Sequence, residues 1–339
     1  MSDLTEVKKN PMSGNPQTIR EEILELKQSR KAVILAHNYQ RGEVQDIADF
    51  VGDSLELSRN AAAMDCEVIV FCGVDFMAES ASILSPEKTV LLSEIDASCP
   101  MAEMIQVDAP RSVRPAYPGY EVQPSFVFPH NFTLRDIKSQ YPGVPVVAYV
   151  NTTAEIKAES DVCCTSSNVV KVIESLPDER VICVPDKNLA MWAAKNTGKQ
   201  IISWDGFCHV HDRVTKDDVL RARKAHPGAL LMAHPECRLE VLELADYVTS
   251  TSGMLRFARS SEANEFIVGT EIGIMHRMKR ENPEKVFHPL RNDMVCPNMK
   301  KTTLSSVLRA LRENAYLIKV PESVRVPAKK ALDRMLELS

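Results

Sequence analysis

Three stretches of this chain repeat one another, and that repetition limits what it can fold into more than any other feature. The first is KAVILAHNYQRGEVQDIADFVGDSLELSRN, from Lys31. The second is VPVVAYVNTTAEIKAESDVCCTSSNVVKVIES, from Val144, and the third is ALLMAHPECRLEVLELADYVTSTSGMLRFARS, from Ala229. Aligned on His37, Tyr149 and His234, each has an aspartate twelve positions later (Asp49, Asp161, Asp246). Each also has a hydroxyl seventeen positions later (Ser54, Ser166, Thr251). A length of 339 residues alone suggests about two domains. The repeat overrides that prior and asks for three like units, each of roughly 80–110 residues and within the usual domain range.

Inside the copies the pattern is strand, helix, strand, helix. KAVILAH, a near-continuous apolar run behind a helical stretch at 18–29, suits a strand buried on both faces. GEVQDIADF reads as a helix, and Gly52-Asp53-Ser54 opens another over SLELSRNAAAM. EVIVFCG, FMAESASIL and TVLLSE continue the alternation up to the loop carrying Cys99. With no hairpin signals, the expected class is α/β: three homologous parallel-sheet α/β/α domains arranged with pseudo-threefold symmetry around a central cavity. The expected division is a flexible leader at 1–16, a first domain at 17–106, a second at 107–208 and a third at 209–300. The second domain opens with a Pro-rich, aromatic connection at 107–132. Residues 301–339 read as two helices packing back on the first domain. The later helix carries an apolar stripe of Val326, Ala331, Leu332, Met335 and Leu336.

A net charge of −5 and a pI near 6.0 offer no basic surface for nucleic acid or an anionic membrane. No apolar run approaches the ~20 residues of a membrane span and the first residues lack a signal-peptide core, so a cytoplasmic location is expected. Nine cysteines in that compartment are reduced, which points to packing, metal or catalysis instead of disulfides.

Ligands of parallel α/β units collect at the carboxyl ends of the strands. His37, Tyr149 and His234 lie just past the first strand of each copy. Ser54, Ser166 and Thr251 sit where the second helix starts, and Cys99, Cys208 and Cys296 follow the last strand. Units facing one another would bring the three thiolates to one point. The nine cysteines contain no CxxC, the usual zinc spacing, so three separated thiolates suit a [4Fe–4S] cluster with one iron open to substrate. Cys66, Cys72, Cys163, Cys164, Cys183 and Cys237 read as small buried hydrophobes. The triplets His-Asn-Tyr (37–39), Tyr-Val-Asn (149–151) and His-Pro-Glu (234–236) put unlike chemistry in equivalent slots, as an asymmetric small substrate needs. GDSL, CTSSN and TSTSG offer hydroxyls and free N–H groups for phosphate or carboxylate. Asp49, Asp161 and Asp246 are assigned to local hydrogen bonds at a strand start.

These residues resemble the quinolinate synthase family, the A proteins of de novo NAD biosynthesis. The resemblance is carried by AHNYQ (36–40), GDSLELS (52–58), CPMA (99–102), YVNTTAEIKA (149–158) and CTSSN (164–168). It continues in WDGFCHVH (204–211), AHPEC (233–237), TSTSGM (249–254), TEIGIMHR (270–277) and the cysteine before PNMK. It implies one [4Fe–4S] cluster on Cys99, Cys208 and Cys296, and condensation of iminoaspartate with dihydroxyacetone phosphate to quinolinate, losing phosphate and two waters. It implies substrate contacts from His37, Ser54, Tyr149, Asn151, Ser166, His211, His234, Glu236, Ser250 and Thr251. Glu236 is the favoured general base, with His234 and Tyr39 moving protons, His37 and Tyr149 orienting the substrate, and the open iron acting as Lewis acid. An L-aspartate oxidase or dehydrogenase supplying iminoaspartate is the implied transient partner. Some members carry a CxxCxxC run at the last ligand; here VCPNMK leaves Cys296 alone, and 107–132 is longer than in compact members. Two readings from other classes stay open. One is another cluster-dependent hydro-lyase, and the other a non-enzymatic iron–sulfur or phosphate-binding sensor.

Overall fold

A computed structural model describes residues 16–108 and 132–339; all but the last residue of the expected leader and nearly all of the Pro-rich connection lie outside them. The first unit runs α1 (Pro16–Ser29), β1 (Ala32–His37), α2 (Gly42–Gln45), β2 (Phe50–Gly52), α3 (Ser54–Ala63), β3 (Val68–Cys72), α4 (Asp75–Leu84) and β4 (Thr89–Leu92). The order returns as α5 (Leu134–Gln140), β5 (Val146–Tyr149), α6 (Ala154–Ala158), β6 (Val162–Cys164), α7 (Val169–Ser175), β7 (Arg180–Val184), α8 (Lys187–Thr197) and β8 (Gln200–Ser203). It returns again as α9 (Lys216–Ala225), β9 (Leu230–Ala233), α10 (Leu239–Leu242), β10 (Tyr247–Val248), α11 (Thr251–Ser260), β11 (Glu265–Gly269), α12 (Ile274–Glu281) and β12 (Val286–Pro289). Then α13 (Leu304–Glu313) and α14 (Glu322–Glu337) follow.

The described residues form three four-stranded sheets, all parallel and all in one order: β2-β1-β3-β4, β6-β5-β7-β8 and β10-β9-β11-β12. The chain is thus mixed α/β in three parallel-sheet units, as the repeat requires. Strand order reverses beside the first strand of each sheet, which opens a crevice at its carboxyl end. Both faces of β1 are covered, which explains its unbroken apolar text. Leu35 joins one core with Ile69 and Phe71, while Ile34 and Ala36 join another with Val68, Val70 and the apolar side of α13.

One expectation fails locally. The stretch GEVQDIADF is helical only over Gly42–Gln45, and Phe50 already belongs to β2. The cause is Asp49. Its carboxylate accepts the Ile34 N–H at 2.7 Å, while its own N–H donates to the Ile34 carbonyl at 2.9 Å, so the chain is drawn alongside β1. Asp161 does the same to Val146 and Asp246 to Leu231, each carboxylate at 2.7 Å. The structural role assigned to these aspartates holds. Edge strands of two or three residues are too short to show alternation in the sequence, so a side-chain pin sets them. Asp161→Ala should therefore cost about 1 kcal/mol and lower the unfolding midpoint by ~2–4 °C. An unchanged midpoint would show that β6 pairs without its pin.

The two closing helices separate. α13 lies on α1, β3 and β4 of the first unit, whereas α14 lies mainly on α6 and β6 of the second and also touches α4. Ala331, Leu332 and Met335 of the expected stripe are buried and Leu336 half-buried, but Val326 is exposed. The last residue, Ser339, accepts a hydrogen bond from Asn168 Nδ2 at 2.5 Å, at the start of α7.

Candidate active site

Cys99, Cys208 and Cys296, one from each unit, line a single cavity. The same backbone device delivers all three. The N–H groups of Asp75, Lys187 and Ile272 donate to the carbonyls of Ala97, Gly206 and Met294 at 2.9, 2.8 and 2.9 Å, in each case two residues before the cysteine. At the second loop only glycine fits, because a Cβ on Gly206 would lie 2.4 Å from the Pro185 carbonyl oxygen. Beyond each cysteine the chain makes a helical turn, so the N–H three residues on (Ala102, His211, Met299) faces the sulfur. Burial pushes all three thiols above their ordinary range. Cys208 lies near enough to Cys99 and Cys296, and Cys99 to Cys296, for each to disfavour the other's ionisation.

That donor set fits a metal centre. Three free thiols meet in one cavity, and peptide N–H groups wait to support thiolates that only a cation would make favourable there. Cys208, His211 and Glu236 also hold ligand atoms within 4.8 Å of one another. The other cysteines follow the bland reading: Cys72, Cys163, Cys164, Cys183 and Cys237 are buried, and Cys66 is half-buried.

The strand-end triplets face this centre. His37, Tyr39, Tyr149, Asn151, His234 and Glu236 all line the cavity, as do Ser54, Ser166, Thr251 and His211. His37 Nδ1 accepts the Tyr39 N–H at 3.1 Å, and His234 Nδ1 faces the Glu236 N–H at 3.4 Å, so the repeat fixes both rings alike. Accepting at Nδ1 leaves the proton on Nε2. Burial keeps both rings neutral, lowering His37 to about 4 and His234 to about 3.

Glu236 is the only carboxylate of the three triplets. Burial works against its ionisation, yet His234, His211 and hydrogen bonds from His211 and Tyr149 outweigh burial and hold it below the usual carboxylate range. Its Oε2 lies 2.7 Å from His211 Nδ1 and 3.5 Å from His234 Nδ1. Tyr149 is held protonated by burial and by Glu236 itself, so its hydroxyl donates to that carboxylate. His234 Nε2 reaches Ser166 Oγ at 3.2 Å, joining the third unit to the second.

The helix starts also meet. Asp53 caps α3 through the Leu55 and Glu56 N–H groups, and its Oδ2 accepts Ser167 Oγ at 2.7 Å and Ser250 Oγ at 3.3 Å. Ser167 and Ser250 are 2.7 Å apart, so one hydroxyl–carboxylate knot ties all three units. Ser250 is spent in this knot and in capping α11 through the Gly253 N–H. Unlike the other expected contacts, it is not among the residues lining the cavity.

A family model described as quinolinate synthetase A protein matches residues 21–337. The chain belongs to this family. It is 56% identical over 319 residues to a quinolinate synthase of Thermodesulfovibrio yellowstonii, covering 94% of this chain and 97% of that one. It is 53% identical to one of Methanoregula boonei (94% and 98% covered) and 51% identical to one of Dehalococcoides mccartyi (95% and 99%).

Within this family member, three groups were missed in the sequence. Thr270 Oγ1 lies 2.5 Å from the Tyr39 hydroxyl and 2.9 Å from His211 Nε2. Glu271, wholly buried, accepts the Cys296 N–H at 3.2 Å, the Gly273 N–H at 2.7 Å and Lys300 Nζ at 2.9 Å. Lys300 in turn donates to the Tyr39 carbonyl. Asp186 caps α8, and burial together with Glu236 nearby pushes its carboxyl well above the usual carboxylate range. All three follow the third strand of a unit. Applying the strand-end rule to third strands as well as first strands would have found them.

Proposed function

We propose that the chain is a quinolinate synthase, condensing iminoaspartate with dihydroxyacetone phosphate to quinolinate with loss of one phosphate and two waters. The observation that carries this reading is the meeting of three cysteines, one per unit, with three chemically unlike strand-end triplets in one cavity. We read the three units as arranged about a pseudo-threefold axis through it. Cys99, Cys208 and Cys296 would hold a [4Fe–4S] cluster, which supplies a Lewis-acid iron when bound.

The chain's own groups then divide the work. Ser54, Ser166 and Thr251, with the N–H groups of their helix starts, hold substrate carboxylates and the phosphate. Asn151 Oδ1 is buried with no hydrogen-bond partner among the described residues, so it is placed to accept from a substrate N–H or hydroxyl. His37, neutral with its proton on Nε2, donates to a substrate oxygen.

A directional hydrogen-bond chain runs from Tyr39 O–H through Thr270 O–H to His211 Nε2, and from His211 Nδ1–H to Glu236. His211 and the Tyr149 hydroxyl already occupy the Glu236 carboxylate, which leaves it little room to take a substrate proton. Glu236 therefore acts by orienting His211 and holding Tyr149, and the proton traffic first assigned to it passes along this chain. Thr270→Val breaks the chain while keeping the volume. It should lower kcat by about 10-fold or more with KM little changed, and an unchanged kcat would remove the chain from the mechanism.

Imines hydrolyse in water, which favours a transient contact with the L-aspartate oxidase or dehydrogenase that makes the substrate. No described helix is long and apolar enough to cross a membrane, and we place the enzyme in the cytoplasm. Anaerobically prepared protein given iminoaspartate and dihydroxyacetone phosphate should release quinolinate and phosphate in equal amounts. Dehydration of hydroxy acids without use of the triose phosphate, or binding without turnover, would overturn the reading.

A further inference from the structure

Away from the cavity, the third unit gathers a second set of metal-ligating side chains. Glu265 opens β11, and His288 lies on β12 beside Ile267, two residues along from Glu265, so both side chains share one face of the sheet. His226 ends α9, whose Val219 and Ala222 share one apolar cluster with Ile267. His288 Nε2 lies 2.8 Å from Glu265 Oε1, and His226 Nδ1 lies 3.6 Å from the same oxygen. The two imidazoles stack with centroids 3.5 Å apart and planes 16° from parallel. All three ligand atoms fall within 4.8 Å of one another, and none of the three residues lines the cavity.

We propose that His226, Glu265 and His288 form a surface site for one divalent transition ion of the zinc class, clamping the end of α9 to the edge of the third sheet. The protein alone leaves this cluster incomplete. Among the described residues only His288 hydrogen-bonds the Glu265 carboxylate; His226, at 3.6 Å, is brought to the same oxygen without one. Two imidazoles and a carboxylate are donors for zinc, nickel or cobalt, whereas magnesium and calcium want oxygen. A tetrahedral ion ~2.0–2.2 Å from each donor sets neighbouring donors about 3.3–3.6 Å apart, close to the 2.8 and 3.6 Å between Glu265 and the two rings, and the rings turn out of their stack so that both lone pairs reach the ion. All three side chains are partly exposed, which gives the ion an entry path and lets water complete its shell.

The test is zinc titration of cluster-loaded protein under anaerobic conditions, read by competition with a chromophoric chelator. Wild type should take one equivalent of zinc per chain with a rise in unfolding temperature. His226→Gln and His288→Gln should each weaken binding by about 100-fold or more and leave turnover unchanged. No zinc uptake by wild type, or wild-type uptake by the double variant, overturns the proposal; the second result would place the metal at the cysteine cavity. Should the variants fail to fold, crystals of zinc-soaked wild type decide by anomalous scattering. A peak between the three side chains supports the site, and its absence there removes it.

Discussion

Cys99→Ser, Cys208→Ser and Cys296→Ser are each expected to give colourless protein whose turnover falls by about 10³-fold or more, the several kcal/mol that a Lewis-acid metal supplies. The expectation rests on delivery. Each sulfur reaches the cavity on a loop held by a backbone hydrogen bond two residues earlier and faced by an N–H three residues later, so the loops do not depend on sulfur for their shape. Serine should therefore fold normally, with an unfolding midpoint close to that of the wild-type apoprotein. It loses metal because a hydroxyl is a far poorer soft-metal donor than a thiolate. Cys66→Ser, which touches none of this, is the control and should keep both colour and turnover. A brown, active preparation of any of the three loop variants would break the assignment of the cluster to that cysteine.

Glu236→Gln should lower kcat by ~10²–10⁴-fold while iron content stays at the wild-type level, as when a carboxylate that fixes a histidine's tautomer is lost. The carboxylate is buried and serves His211, His234 and Tyr149 together. Glutamine keeps the volume but removes the charge, and it puts an NH2 donor where the carboxylate has a second acceptor oxygen. His211 then loses the partner that fixes its Nδ1–H, and the link from His211 Nε2 through Thr270 to Tyr39 loses its direction. Glu236→Asp keeps the charge but retracts it by one methylene, and should recover part of the loss. Near-full turnover in Glu236→Gln would take Glu236 out of the chemistry and leave it a structural anion. Loss of iron in the same variant would instead make it a support of the metal centre through Cys208.

Much of this molecule is legible in its sequence. The offsets of Asp49, Asp161 and Asp246 from the strand ends announced three units. Their role as strand pins was readable because a carboxylate at that spacing has a backbone N–H within reach. The cysteine trio was found through its place in the repeat, since no local spacing marks it. The failures have physical causes too. The helix expected over GEVQDIADF stops at Gln45, because a pinned edge strand outcompetes local propensity. The first closing helix lies on the first unit as expected, but α14 lies mainly on the second, because amphipathicity tells that a helix has a buried side and says nothing of which surface buries it.

The repeated text settled the number of units, the parallel order within each and the residues each presents at its strand ends, because these follow from periodicities of a few residues and from bonds between near neighbours. Tertiary structure alone decided that Asp53 would knot Ser167 to Ser250, that Thr270 would stand between Tyr39 and His211, and that Glu236 would face two imidazoles and a phenol. Those contacts join separate units or distant strands, and the same packing buries Glu236 and its partners. Acidity at such a site is set by what packs around it, which no single stretch of sequence specifies.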